Sequence, residues 1–523
     1  MTLTLLLYAP TLHMPLYSDD LLQVPWVEAT PLLDFWTSVG PYRDYRPLHF
    51  TLWKALYLLA GDLSPVALHA LNLAGHAACG TLVGLLAARR SRRPGLTAPL
   101  AAAFFVSYPF ACDAVPWAIA FTYPLTTALA LGAVLAYLRA RQDAAPARHA
   151  LAVVLTTLAG FAHEGGVVIC AIILGTEWAI CRKESPPVSR WPVAHLVAST
   201  LPLVVAAAVR PQGTALHGLA WPDAFQNAAT ALQTLAFPAA PLAQIVAGAG
   251  VEPALAMVLV GLPVLLSIGW LVRSAAGGRA HLLALGWWAA WSLPPLLTLR
   301  HAWLVDAPRT FYPAAAGAAL LWAGAADWKR ARHALSACAL LTLTLLPAER
   351  FVVERIALHR QVGALLWDVV AAAEDERPIL AVNLPGRITS AGRTYPLGHE
   401  GIIPMPREVG AADLVAAHTG QVDAAFERSW GPVLPPLPYA VRPLGETLAA
   451  EDVRAAGAVF LTRYDTAARM RLEHAGRVFP PQPERPALAL FGAGVRLLSV
   501  TCAAGTERLV VTSEWQALAP VGG

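Results

Sequence analysis

Ten apolar runs fill most of the first two thirds of this sequence, at roughly 66–88, 96–112, 118–138, 149–162, 165–181, 191–209, 252–272, 281–299, 311–327 and 333–349. A water-soluble fold has no core that could hide so many runs of this length. In a bilayer each run becomes a helix, because only a helix or a closed barrel satisfies its own backbone hydrogen bonds there. Composition agrees: the 523 residues are 56% hydrophobic and 14% charged, with a mean hydropathy of +0.52. That balance excludes an ordinary soluble globule. The net charge of +4 is small, and the basic residues collect in short loops. The charge therefore reports topology and gives no footprint for nucleic acid.

The loops alternate. Arg89, Arg90, Arg92 and Arg93 form one basic loop, and Arg139, Arg141 and Arg148 the next. Arg182, Lys183 and Arg190, then Arg273 and Arg279, then Lys329, Arg330 and Arg332 continue the series. The positive-inside rule makes all five cytoplasmic. Met1–Leu16 is apolar but shorter than the roughly 20 residues a spanning helix needs. It lacks a basic n-region and a small-residue cleavage site, so it reads as a first span rather than a removed signal peptide. The expectation is a polytopic α-helical membrane protein of about eleven transmembrane helices, N-terminus inside. Residues 19–65 form the first external loop, in which Leu48–Leu59 reads as a surface helix with Trp53 and Tyr57 at interface depth. Residues 226–250 read as re-entrant or surface-lying.

From about Glu349 the composition turns polar, giving a transmembrane domain over 1–349 and a soluble domain over 350–523. Ile379–Asn383 and Ala458–Thr462 read as buried strands of a small α/β or α+β unit. Residues 431–443 read as a proline-rich strap, and Val495–Val500 and Arg508–Trp515 as alternating strands. On the alternation of loops this domain is extracytoplasmic. The six cysteines show no CxxC spacing, which gives neither a zinc site nor a disulfide framework.

The same alternation places Asp19, Asp20, Arg43, Arg46, Asp113, His163, Glu164 and the stretch His301 to Arg309 on the outer face. Adjacent carboxylates at Asp19-Asp20 suit the removal of a proton from an incoming hydroxyl; equally, two aspartates can end a helix at the water interface. Arg43 and Arg46 suit a phosphate held by guanidinium forks, or phospholipid contact, or an ion pair with Asp44. His69, Asn72 and His76 share one helix face, either lining a cavity or bonding between helices. Glu164, beside His163 where two apolar runs meet, is a functional candidate or a solubilising charge. Arg309 stands where it could reach a lipid phosphate. No GxxxxGK[ST], GxGxxG after a strand, HExxH or GxSxG occurs, so ATP-driven transport, dinucleotide chemistry and zinc proteolysis lack support.

The acidic pair, the YRPL segment with its surface helix and the H-x-x-N-x-x-x-H run together resemble the GT-C superfamily of integral-membrane glycosyltransferases. FAHEGG at 161–166 and PRTFYP at 308–313 add to the likeness, which is to protein O-mannosyltransferase and aminoarabinose-transferase-like enzymes over about residues 1–350. Histidine at 163 departs from the lysine usual there. The resemblance implies a GT-C-like fold at the plasma membrane. It also implies transfer of a sugar from a polyprenyl-phosphate donor to a protein, lipid or glycan acceptor on the outer face. Asp19 or Asp20 would be the base, with Arg43 and Arg46 near the phosphate. His69, His163, Glu164 and Arg309 complete the expected substrate-binding set. No metal ligands are assigned and no cofactor is certain, a divalent ion being left open. The alternatives are a lipid or sugar transporter or flippase, or a non-catalytic cell-envelope scaffold.

Overall fold

The computed structural model describes residues 1–143, 145–178, 191–210, 223–272, 280–376, 378–390, 392–398, 400–406, 408–431, 439–464, 469–478, 489–491, 495–504 and 509–517. The basic loop with Arg182, Lys183 and Arg190, the loop with Arg273 and Arg279, and most of the 431–443 strap lie outside the described residues. The chain divides into two compact units. One holds residues 1–363 and 388–403, and the other holds 364–387 and 404–523.

The first unit is a helical bundle. Among the described residues five helices are long and apolar enough to cross a membrane: Pro65–Arg90, Ala118–Asp143, Trp191–Val209, Pro253–Leu271 and Ala331–Asp375, the last of which continues past residue 363 into the other unit. Four more expected spans form shorter apolar helices, Pro94–Val106, Pro146–Ala162, Glu164–Thr176 and Ala315–Gly324. Pro65–Arg90 shows why these segments are helical. Ser64 caps the N-terminus by accepting from Ala67 N–H at 3.3 Å, Pro65 sits in the first turn, and 26 residues follow. At ~1.5 Å per residue that is about 39 Å, enough to span with tilt.

Small residues set the helix spacing. An added Cβ on Gly84 would lie 3.0 Å from Ala98 O, and on Gly317 2.5 Å from Ala284 O and 2.7 Å from Trp288 N. Backbones approach closely there, as membrane helices with small interfacial residues do. Gly317→Ala is therefore expected to lower stability by about 1–3 kcal/mol through overpacking, read as a lower melting temperature in detergent, while Gly269→Ala, with open space at its Cβ, stays near the parent.

Loops expected on one side meet. Ser91 Oγ and the Arg92 and Arg93 N–H groups donate to Asp327, and Arg93 reaches the carbonyls of Trp328 and Lys329. Arg148 pairs with Asp143 close by. In the same part of the unit, buried Arg141 holds Glu177 in a two-pronged bond of 3.0 and 2.9 Å.

Two expectations change, and the 226–250 stretch gains detail. Met1–Leu16 is helical only over Thr2–Tyr8, followed by a 3-10 turn over Ala9–His13 with Pro10 in its first turn. The helix Pro47–Ala60 forms as read, but Trp53 is fully buried against His49 instead of lying at an interface. The 226–250 stretch is two helices, Ala224–Leu235 and Ala240–Gly248. The first is built into the bundle: Asn227 Nδ2 donates to Leu299 O at 2.9 Å, and Gln233 exchanges two hydrogen bonds with the backbone of Leu397.

The second unit carries a four-stranded sheet in the order Ala425–Arg428, Ile379–Val382, Ala458–Tyr464, Met470–Arg477, the first three parallel and the last antiparallel. The two strands read from sequence are the adjacent central pair, in register Ile379 to Ala458. A separate antiparallel sheet contains Val495–Ala504 and Leu509–Ala517.

Candidate functional site

Asp19 and Asp20 are adjacent in sequence but face different surroundings. Ser18 adopts a left-handed backbone, φ 58°, which is uncommon for a residue with a Cβ. The chain turns there and enters the helix Asp20–Ala29. Asp19 lines a cavity of about 1470 Å³. Asp20 is fully buried off that cavity, its Oδ1 accepting Ile119 N–H at 2.8 Å. Burial pushes the Asp20 carboxyl up to about 8, against the Ile119 bond and with help from the Asp19 charge. Of the two carboxylates expected to supply the base, Asp19 faces the cavity, whereas Asp20 is an internal anchor away from it.

That anchor has a counterpart. Asn72 Nδ2 donates to Trp117 O at 2.6 Å, so the turn at 117–119 is held from two sides, by Asn72 and by Asp20. The turn presents Trp117 to Arg309, whose guanidinium lies 4.2 Å from the ring centroid. Arg309 Nη1 also donates to Asp113 Oδ2 at 2.8 Å. Stacking and ion pairing together fix the plane of this guanidinium on the cavity wall.

His69 does not line the cavity; it is fully buried with Asn72 and His76. His76 Nδ1 pairs with Tyr312 OH at 2.7 Å. Asn72 and His76 on Pro65–Arg90 bond to neighbouring segments, and His69, buried off the cavity, is not placed to bind substrate there.

Arg43, Asp44 and Arg46 enter the cavity from one tight loop. Gly40 N–H donates to Asp44 O at 2.8 Å, Arg43 N–H donates to Gly40 O at 2.9 Å, and Arg43 takes a left-handed φ of 61°. A Cβ on Gly40 would lie 2.5 Å from Asp44 Oδ1, so only glycine lets that carboxylate come so near. Arg46 Nη1 lies 3.5 Å from Asp44 Oδ2, and Arg46 Nε 3.5 Å from Glu164 Oε2. Burial, then the Glu164 charge, raise the Asp44 carboxyl above the ordinary range, with Arg46 opposing. His163 packs against Tyr123 with centroids 5.0 Å apart and the rings tilted by 42°, and its Nδ1 accepts Gly165 N–H at 2.9 Å. Burial pushes its pKa down to about 4. With Nδ1 committed as an acceptor, His163 is a neutral ring beside Glu164 and not its ion-pair partner. Gly166 explains why the segment folds so tightly: a Cβ there would meet the backbone of Gly160 and Ala159 at 2.6–2.7 Å.

The remaining wall was not singled out in the sequence. It includes Arg210, Asp223, Trp291, Arg300 and Trp303. Asp223 Oδ2 accepts His301 N–H at 3.0 Å, which ties this side together. Among the described residues Arg43, Arg210 and Arg300 line the cavity without an ion pair to a carboxylate, whereas Arg46 and Arg309 are each paired. No three His, Cys, Asp or Glu side chains among the described residues converge as a metal ligand set.

No family model matches this chain and no curated protein matches it. Among solved structures it is similar to ArnT from Cupriavidus metallidurans bound to undecaprenyl phosphate. The identity is 13% and the TM-score 0.43, over 83% of this chain and 85% of that one. It is also similar to the arabinofuranosyltransferase AftD from Mycobacteria, at 16% identity and a TM-score of 0.36, over 77% of this chain and 32% of that one. These likenesses stand beside the GT-C resemblance of the motifs in the first 350 residues.

Proposed function

We propose that this chain is a GT-C-type membrane glycosyltransferase that moves a sugar from a polyprenyl-phosphate donor to an acceptor hydroxyl or equivalent nucleophile on the outer face. One observation carries the reading. Residues expected on the outer side, scattered from Asp19 to Arg309, gather around one cavity lined by four carboxylates and five arginines, Asp19 and Arg309 among them. The basic loops around Arg92 and Lys329 meet each other elsewhere in the same unit, in keeping with a cytoplasmic side opposite the cavity.

The chemistry follows from charge. The acceptor oxygen needs to lose a proton as it attacks the anomeric carbon, and of the cavity carboxylates Asp19 is the one we assign to take it. The new carbon–oxygen bond forms as the bond from the anomeric carbon to the phosphate oxygen breaks, so the configuration inverts. The polyprenyl phosphate leaves with one more negative charge than it had as a diester, and guanidiniums aimed at it bind the transition state better than the ground state. The donor's apolar chain would lie among the membrane helices.

The reading is tested with purified protein in proteoliposomes supplied with a panel of labelled polyprenyl-phosphate sugars. Consumption of at least one donor with release of polyprenyl phosphate is expected. No release from any donor, together with movement of lipid or sugar across the bilayer, would replace the transferase with a transporter.

A further inference from the structure

We propose that Asp44, Arg46 and Glu164 form the subsite that grips the hydroxyl groups of the transferred sugar, an assignment that rests on the transferase reading above. Arg46 stands between two carboxylates at 3.5 Å from each, near enough for attraction but too far for a hydrogen bond of ordinary length. Both Asp44 oxygens, Arg46 Nε and Glu164 Oε2 are buried without a hydrogen-bond partner. Native proteins rarely leave so much donor and acceptor capacity unspent in one place. Here all three side chains line the cavity. A sugar hydroxyl matches them, since it donates to a carboxylate and accepts from the guanidinium at once.

Electrostatics selects the ligand class. With His163 neutral, two carboxylates around one guanidinium leave the cluster net negative. A phosphate placed there would meet Asp44 and Glu164, and a metal ion would meet Arg46. A neutral polyhydroxylated ring meets neither penalty. The anionic end of the donor is better served by the other cavity arginines: Arg43, Arg210 and Arg300, which have no carboxylate partner among the described residues, and Arg309, which is held by Asp113 alone. Arg210 also acts on Asp44 electrostatically, so the two regions adjoin. Arg46 is thereby reassigned from phosphate binding to sugar recognition, and Glu164 is given a definite place in the substrate-binding set. The Gly40–Asp44 turn, with its left-handed Arg43, gives the subsite the rigidity that hydroxyl recognition requires.

The test pairs donors with variants in the full-length protein. From the best-used donor of the panel, versions lacking one sugar hydroxyl each are compared with the parent donor, for the unsubstituted protein, Asp44→Asn and Glu164→Gln. Removing the gripped hydroxyl is expected to lower kcat/KM about ten- to a hundredfold in the unsubstituted protein, the range of a hydrogen bond to a charged group. In the variant that has lost its partner the same removal is expected to cost less than about threefold. Discrimination that is unchanged in both variants overturns the subsite while leaving the transferase intact. If no donor is used by the unsubstituted protein, the transferase reading falls and the subsite with it. Should neither carboxylate variant fold, Arg46→Lys decides: it keeps the charge but loses the fork, so unchanged discrimination in that variant also overturns the assignment.

Discussion

Asp19→Asn is expected to lower glycosyl transfer by about 10²–10⁴-fold, the contribution of a positioned general base, while Asp20→Asn keeps most of it. The neighbours are told apart by where the chain sends them. Asp19 lines the cavity, whereas Asp20 is sealed off with Oδ1 on Ile119 N–H. An asparagine at 20 can still offer an amide oxygen to that N–H. Asp20→Ala cannot, and it leaves a buried donor unpaired at a cost of about 1–3 kcal/mol. The two substitutions at 20 thus separate a structural acceptor from a catalytic charge. Initial rates in proteoliposomes, with melting temperatures in detergent, check both parts. Equal loss from Asp19→Asn and Asp20→Asn would end the division of roles.

A pH signature belongs to the same pair. The folded pKa of Asp20, about 8, lies above the ordinary 3.8. Below the ordinary value both folded and unfolded chains hold the proton, and the group costs nothing. As pH rises toward 8 the unfolded chain releases it while the folded chain does not. Stability is lost over that window, at about 1.4 kcal/mol for each step of one in pH. Asp20→Asn removes this loss. Its melting temperature should gain on the parent steadily from pH 5 to 8, and a constant gap would contradict a buried neutral carboxyl.

Which helices form was legible because apolar length and cap chemistry are local. Ser64-Pro65 starts a helix and Arg89-Arg90 ends it, and both facts sit within a turn of the residues concerned. Which outer residues share a cavity was legible in part, because loop charges fix sides and sides limit partners. The fine geometry was not. Nothing in the string Tyr17-Ser18-Asp19-Asp20 announces a left-handed Ser18, yet that one dihedral accompanies the parting of the two carboxylates. His69 lies on a polar stripe that periodicity alone could not orient, since a helix face toward a cavity and one toward another helix look alike. Arg210, Asp223 and Arg300 escaped notice because they bound apolar runs like any interfacial charge. Only tertiary packing brings them to the wall.

Asp113→Ala is expected to lower kcat by about ten- to a hundredfold while changing KM for the donor less, an effect transmitted through Arg309. As an ion pair the contact contributes little to stability. Both side chains are partly open, at 16% and 23% exposure, and such pairs are worth about 1 kcal/mol or less. Its consequence is positional. The 2.8 Å bond to Asp113 and the stack on Trp117 hold one orientation of a fork that would otherwise sample many. If that fork faces the leaving phosphate, its value rises as charge builds there, and a loss of aim appears in kcat before binding. Arg309→Ala should then cost more, about 10²–10³-fold. Asp113→Asn should recover part of the loss by keeping an oxygen for Nη1. Arg309→Lys should recover little, because an ammonium neither forks nor stacks in the same way. Steady-state kinetics on the four variants, with melting temperatures to exclude unfolding, separate these cases. A rise in KM alone would place Arg309 in ground-state binding, and unchanged kinetics in Asp113→Ala would remove Asp113 from the site's machinery. A purely structural role for Asp113 would lower the melting temperature of Asp113→Asn and Asp113→Ala in step with their rates, whereas a positioning role lets the rate fall while the fold holds.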